Sequence, residues 1–221
     1  MSTLQLENLS YRYEKNSPDI LKNVNLEFEN GKIYAIVGKS GAGKTTLLSL
    51  LSGLAKPTSG KILYDGKDIS QIDKYEYRSK YVGVIFQSFN LLPNMTALEN
   101  VMLSMDIAGI KQKRSQKEKT ARELLAKVDI DPEEFDRRVL KLLGGQQQRV
   151  AIARALSYEP QIILADEPTG NLDGETQAEI MKIFRRLADE GKCVIIVTHS
   201  PDVASSADVK FELRRGEKNK N

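Results

Sequence analysis

In the first third of the chain, apolar residues recur with the two-residue period of strands. Val24, Leu26 and Phe28 alternate with polar neighbours, while Leu4, Leu6, Leu9, Tyr11 and Tyr13 predict a strand whose alternation is irregular. Asn30-Gly31 marks a turn. Ile33–Val37 is then apolar throughout, the pattern of a strand covered on both faces. Leu47–Leu54 reads as a helix that stops at Gly53, with Pro57 just beyond. Ile62–Tyr64, Asp65-Gly66 and Lys67–Ile69 read as a hairpin, and Val82–Phe86 as a strand. From Thr96 to Ser157 the spacing changes to three and four residues, and Thr96-Ala-Leu-Glu99 is a capping box that opens a helix. The last third alternates again: strand Ile162–Ala165, amphipathic helix Thr176–Ala188, strand Val194–Val197. Strands interleaved with helices predict an α/β core around a mainly parallel sheet, and the helical middle reads as an insertion into it.

Composition narrows the classes. The 221 residues carry 33 basic and 30 acidic side chains, a net charge of +3, so no nucleic-acid partner is expected. The run Lys111–Lys119 is dense in lysine and arginine. It reads as a solvated loop and helix start, with a polyanion-binding patch as the alternative. No apolar stretch approaches the roughly 18–20 residues that span a bilayer, and Met1–Asn8 lacks a signal-peptide pattern. Any membrane role is therefore expected to come through a partner. Arg214–Asn221 is polar and expected to fray, with no regulatory domain after it. Cys193, the single cysteine, lies in the apolar run Cys193–Val197 and reads as a buried core thiol, which fits a cytosolic address.

The chemistry begins at Gly38-Lys39-Ser40-Gly41-Ala42-Gly43-Lys44-Thr45, a full match to G-x-x-x-x-G-K-[ST], followed by Thr46. Glycines let the backbone curl so that its N–H groups point at phosphate oxygens. Lys44 can reach the β- and γ-phosphates, the Thr45 hydroxyl can bind Mg2+, and the helix that follows offers its positive end to the anion. A phosphate loop needs an acidic partner for the metal. The apolar strand ending in Asp166-Glu167 supplies one. Strand alternation predicts that the two acids point to different sides, Asp166 beside the metal shell and Glu167 orienting or deprotonating a water. A solvated strand-end acid is the plainer reading of Glu167.

At Gly144-Gly145-Gln146-Gln-Gln-Arg149 the chain resembles the signature segment of ABC transporter ATPases. The likeness runs over nearly its whole length. Phe86-Gln87 resembles that family's Q-loop, Gly170-Asn-Leu-Asp173 its D-loop and Val197-Thr-His199 its H-loop, and Tyr13 lies where the family stacks an aromatic on adenine. The resemblance implies a P-loop NTPase core with a mainly parallel sheet (1–87 and 159–221), an N-terminal antiparallel β subdomain and an inserted α-helical subdomain (88–158). It implies ATP and Mg2+ as cofactors, with Gln87 touching the metal or water and His199 the γ-phosphate. It also implies a head-to-tail homodimer in which Asp173 bridges the subunits and Leu142–Gln146 covers the ATP of the opposite copy. The partner would be an integral-membrane permease, and the address the inner face of the cell membrane. Taken without that context, Tyr13 also reads as a core tyrosine, Gln87 as an ordinary strand-end amide and His199 as a satisfied polar residue. The stretch Asn90–Asn100 is similar to the subgroup serving lipoprotein release, macrolide export and antimicrobial-peptide resistance.

One position departs from the family pattern. Leu143 stands where the signature has serine. A leucine can neither cap the helix nor donate to a γ-phosphate, so weak ATP-driven dimerisation and slow hydrolysis are expected, with monomeric ATP binding intact. Besides the transport motor, a mechanotransmitting ATPase acting on a membrane partner without cargo fits the same motifs. The soluble members of DNA repair and translation fit less well, because the chain has neither a long coiled-coil insertion nor a second ATPase domain.

Overall fold

The computed structural model describes residues 2–216. Met1 and 217–221, the larger part of the C-terminal stretch expected to fray, lie outside the described residues. Nine strands form two sheets among these residues. The antiparallel sheet has the order β2-β1-β4-β5, from Ser2–Tyr11 (β1), Leu21–Glu29 (β2), Ser59–Tyr64 (β4) and Lys67–Asp68 (β5). The irregular alternation of β1 has a backbone cause. Its pairing with β2 shifts register between Leu6 and Leu9, and Asn8 adopts a left-handed φ of 49° there. Tyr13 lies beyond the end of β1.

The second sheet is wholly parallel, in the order β6-β7-β8-β3-β9: Val82–Ile85 (β6), Ile162–Asp166 (β7), Cys193–Val197 (β8), Ile33–Val37 (β3) and Val209–Glu212 (β9). Its middle strands are the apolar runs seen in the sequence, because both faces are covered. Val194 and Ile196 of β8 enter one hydrophobic cluster, while Cys193, Ile195 and Val197 enter the other. The second cluster fills the space between the two sheets with Leu4, Phe28, Tyr34 and Ile36. The first packs the opposite face under helix α6, Gly174–Asp189, whose Ile180, Ile183, Phe184 and Leu187 are buried.

The helical middle stands between β6 and β7 in the chain: α3 (Ala97–Ile107), α4 (Arg114–Lys127) and α5 (Gly144–Leu156). The predicted capping box is formed, with Glu99 N–H donating to Thr96 Oγ1 at 3.1 Å and Thr96 N–H to Glu99 Oε2 at 2.9 Å. Arg149 ties this region to the core. Its guanidinium donates to Val128 O at the end of α4 and to Glu179 of α6, at 3.1 and 2.6 Å. Most of the Lys111–Lys119 run is exposed, and Lys117 pairs with Asp106. The remaining α-helices among the described residues are α1 (Lys44–Leu51), the short α2 (Lys74–Glu76) and α7 (Pro201–Ser205).

Candidate active site

Parallel sheets place their functional groups at the carboxyl ends of the strands. Here β6 leads to Gln87, β7 ends in Asp166 and hands on to Glu167, β8 leads to His199, and β3 runs into the loop from Gly38 to Thr45. The order of the sheet therefore brings together residues spread over 160 positions. Tyr13, Ser40, Gly41, Gly43, Lys44, Thr45, Thr46, Gln87, Asp166, Glu167 and His199 line one open cleft of about 860 Å³.

Gly43 closes the loop with a left-handed φ of 99°. A β-carbon on it would come within 2.9 Å of Ile20 and Leu21 side chains, so glycine alone fits there. The next residue starts α1. Lys44 is only 6% exposed, and its ammonium donates to Gly38 O at 2.9 Å. It has no carboxylate partner among the described residues. A buried cation satisfied only by carbonyls is costly without an anion. Asp166 accepts from the Thr45 hydroxyl, and burial raises its pKa while that hydrogen bond, Lys44 and His199 pull it down. An unpaired ammonium beside a hydroxyl–carboxylate pair fits a phosphate chain with Mg2+. No group of three or more His, Cys, Asp or Glu that could hold a metal stands among the described residues. Mg2+ bound through one carboxylate and a hydroxyl, its shell completed by phosphate oxygens and water, needs none.

The expectation of opposite-facing acids is corrected. The strand ends at Asp166, and Glu167 turns left-handed with φ 47°, so both acids face the same cleft. That conformation costs a non-glycine residue about 1–2 kcal/mol and marks a constrained site. Glu167 Oε2 accepts from His199 N–H at 3.1 Å. Its Oε1 is buried and accepts no hydrogen bond. His199 Nε2 lies 3.3 Å from Oε1 but outside hydrogen-bond geometry.

Tyr13 is not a core residue. Its ring is 68% exposed, edge-on to Tyr11, and its hydroxyl hydrogen-bonds Thr46 Oγ1 at 2.8 Å. Lys39 and Ala42 face a neighbouring hollow. Leu143, Gly144, Gly145, Gln146 and Asp173 stand outside the cleft of their own chain. Asp173 is the N-cap of α6, accepting from Thr176 N–H and Oγ1 at 2.9 Å each. Leu143 is the N-cap residue of α5, and its side chain is 75% exposed. Half of the capping box survives there, since Gln146 Oε1 still accepts from Leu143 N–H at 2.9 Å. Only the reciprocal hydroxyl is missing. Ile20, Thr169, Ser200 and Arg215, which no sequence motif singles out, also line the cleft.

The profile of the family described as "ABC transporter" matches residues 21–170. The chain belongs to the ABC transporter family. As a member it is an ATPase that uses ATP with Mg2+. Among its relatives, the Bacillus subtilis protein described as uncharacterized ABC transporter ATP-binding protein YclH is 48% identical, the match covering 98% of this chain and 95% of that one. Macrolide export ATP-binding/permease protein MacB of Syntrophobacter fumaroxidans is 40% identical over 98% of this chain and 31% of its own length. The dimeric structure of MJ0796, a bacterial ABC transporter cassette, superposes with a TM-score of 0.87 at 38% identity, covering 98% and 97% of the two chains. That cassette is also solved as a post-hydrolysis dimer with ADP and Pi. Among the described residues of this ABC ATPase no helix is long and apolar enough to cross a membrane.

Proposed function

We propose that this ABC ATPase is the motor of a membrane complex that exports or extracts a peptide, lipoprotein or drug through a separate permease, docked on the inner face of the cell membrane. The observation that carries the reading is the convergence of Lys44, Thr45, Gln87, Asp166, Glu167 and His199 on one cleft. The name of MacB, which joins ATP-binding to permease, supports the export partner.

The residues divide the work. Lys44 and the loop amides would gather the phosphates, and Thr45, Asp166 and Gln87 would hold Mg2+. Mg2+ held there would supply electrostatic stabilisation of the charge developing on the phosphates. Glu167 Oε2 is fixed by His199 N–H, and its carboxylate is the group that would accept a proton from water. His199 presents its ring to the γ-phosphate, and Tyr13 offers an open ring face to adenine, its hydroxyl held by Thr46. The signature segment lies outside its own cleft and exposes Leu143 and Gly144, which suits a head-to-tail dimer in which Leu143–Gln146 and Asp173 complete the site of the second copy. With Leu143 at that position the contact to the γ-phosphate is lost, a deficit of about 1.5–3 kcal/mol per site.

The test is turnover of ATP by purified chain, with and without Mg2+. The reading expects Mg2+-dependent hydrolysis abolished in Lys44→Ala, and co-purification with an integral-membrane partner from the native host. Hydrolysis that survives Lys44→Ala overturns the site assignment.

A further inference from the structure

Four strands of the parallel sheet deliver site residues at their carboxyl ends. The fifth, β9, also ends at the cleft, and it leads into the segment Leu213–Gly216. That segment is pinned at both ends. Leu213 N–H donates to Val37 O at 2.8 Å, and Gly216 N–H donates to Ile20 O at 3.3 Å. Between them the Leu213 carbonyl presses on Gly38 so closely that a β-carbon there would meet it at 2.5 Å. The chain thus crosses the strand that feeds the phosphate loop and reaches the Ile20 wall. Arg214 pairs with Glu212 at 3.2 Å and lines the neighbouring hollow but not the cleft. Arg215 has no carboxylate partner among the described residues. It lines the same cleft as Tyr13 and Ile20, and also the hollow of about 480 Å³ shared with Lys39–Ala42.

We infer that Arg215 is a nucleotide-binding residue, its guanidinium engaging the ribose–α-phosphate end of ATP. The inference rests on the reading of the cleft as the ATP site. An unpaired guanidinium lining a cleft built for phosphates is a ready anion ligand. Sheet order sets which end of the nucleotide it meets. Gln87, Asp166, Glu167 and His199 follow β6, β7 and β8, on one side of β3, whereas Arg215 follows β9 on the other. The chain beside it is bonded to Ile20, whose side chain lies over Gly43. It therefore stands away from the γ-phosphate.

Calorimetric titration of the full chain with Mg2+-ADP and with Mg2+-ATPγS tests this. Arg215→Ala should weaken both nucleotides by the same factor, about five- to twentyfold, as for loss of a charge-assisted contact. Arg215→Lys should recover part of the loss, since it keeps the charge without the planar fork. Arg214→Ala should bind as wild type, and melting temperatures should not move. Unchanged affinity in Arg215→Ala overturns the inference. A loss confined to ATPγS places the guanidinium at the γ-phosphate and overturns it as well. A wild-type chain that binds neither nucleotide sinks the cleft reading itself, and the inference with it.

Discussion

His199 holds Glu167 by its backbone: the His199 N–H donates to Glu167 Oε2 at 3.1 Å, while Glu167 Oε1 stays buried and without a hydrogen bond. Glu167→Gln keeps the shape and an acceptor for that N–H but removes the base. Single-turnover hydrolysis should fall by about 10²–10⁴-fold, with Mg2+-ATP affinity retained. Turnover within threefold of wild type would remove Glu167 from the chemistry.

Asp208 joins the sheet to α6. It accepts from Ile33 N–H at 2.7 Å and from Arg185 at 2.7 and 3.0 Å. Burial works to raise its pKa, but the Ile33 and Arg185 hydrogen bonds and the charges of Arg185 and Lys32 outweigh it, and the net shift is below the ordinary 3.8. A depressed folded-state pKa contributes stability that is fully present above the unfolded value and is lost as pH falls through the folded one. Asp208→Asn should therefore lower the urea midpoint at pH 7, and the gap to wild type should close as pH drops below about 4. A gap of constant size across that range would show that the charge is not involved.

Cys193 is fully buried in β8, and burial pushes its thiol up to about 12. Thiolate is the reactive form. The native protein should resist iodoacetamide at pH 8, and labelling should appear only with unfolding in denaturant. Stoichiometric labelling of folded protein within minutes would contradict this environment.

Much of the fold was legible because it rests on local patterns. Ile33–Val37, Ile162–Ala165 and Val194–Val197 announce themselves as continuous apolar runs, and Thr96-Ala-Leu-Glu99 carries its own cap. What stayed hidden depends on distant pairing. Val209–Glu212 has only four residues, two of them exposed and charged, and becomes a strand by pairing with Ile33–Val37. Arg215 owes its place to that pairing, so nothing in the residues around it points to the cleft. Gln87, Glu167 and His199 could be found as strand-end polar residues. The left-handed turn that swings Glu167 beside Asp166 could not, since strand alternation predicts the opposite. At Leu143 the missing serine is visible in the sequence, whereas the surviving Gln146 half of the capping box depends on the fold around it.

The exposed Leu143 is where the proposed dimer is weakest, and steady-state ATP hydrolysis by wild type and Leu143→Ser at saturating Mg2+-ATP tests it directly. Restoring the hydroxyl returns a helix cap, about 1 kcal/mol, and a donor to the nucleotide of the partner copy. Turnover should rise about tenfold or more, as expected for a contact of 1.5–3 kcal/mol, and dimer should accumulate with ATP when Glu167→Gln is added. Equal rates in the two versions would show that the signature segment does not complete the ATP site.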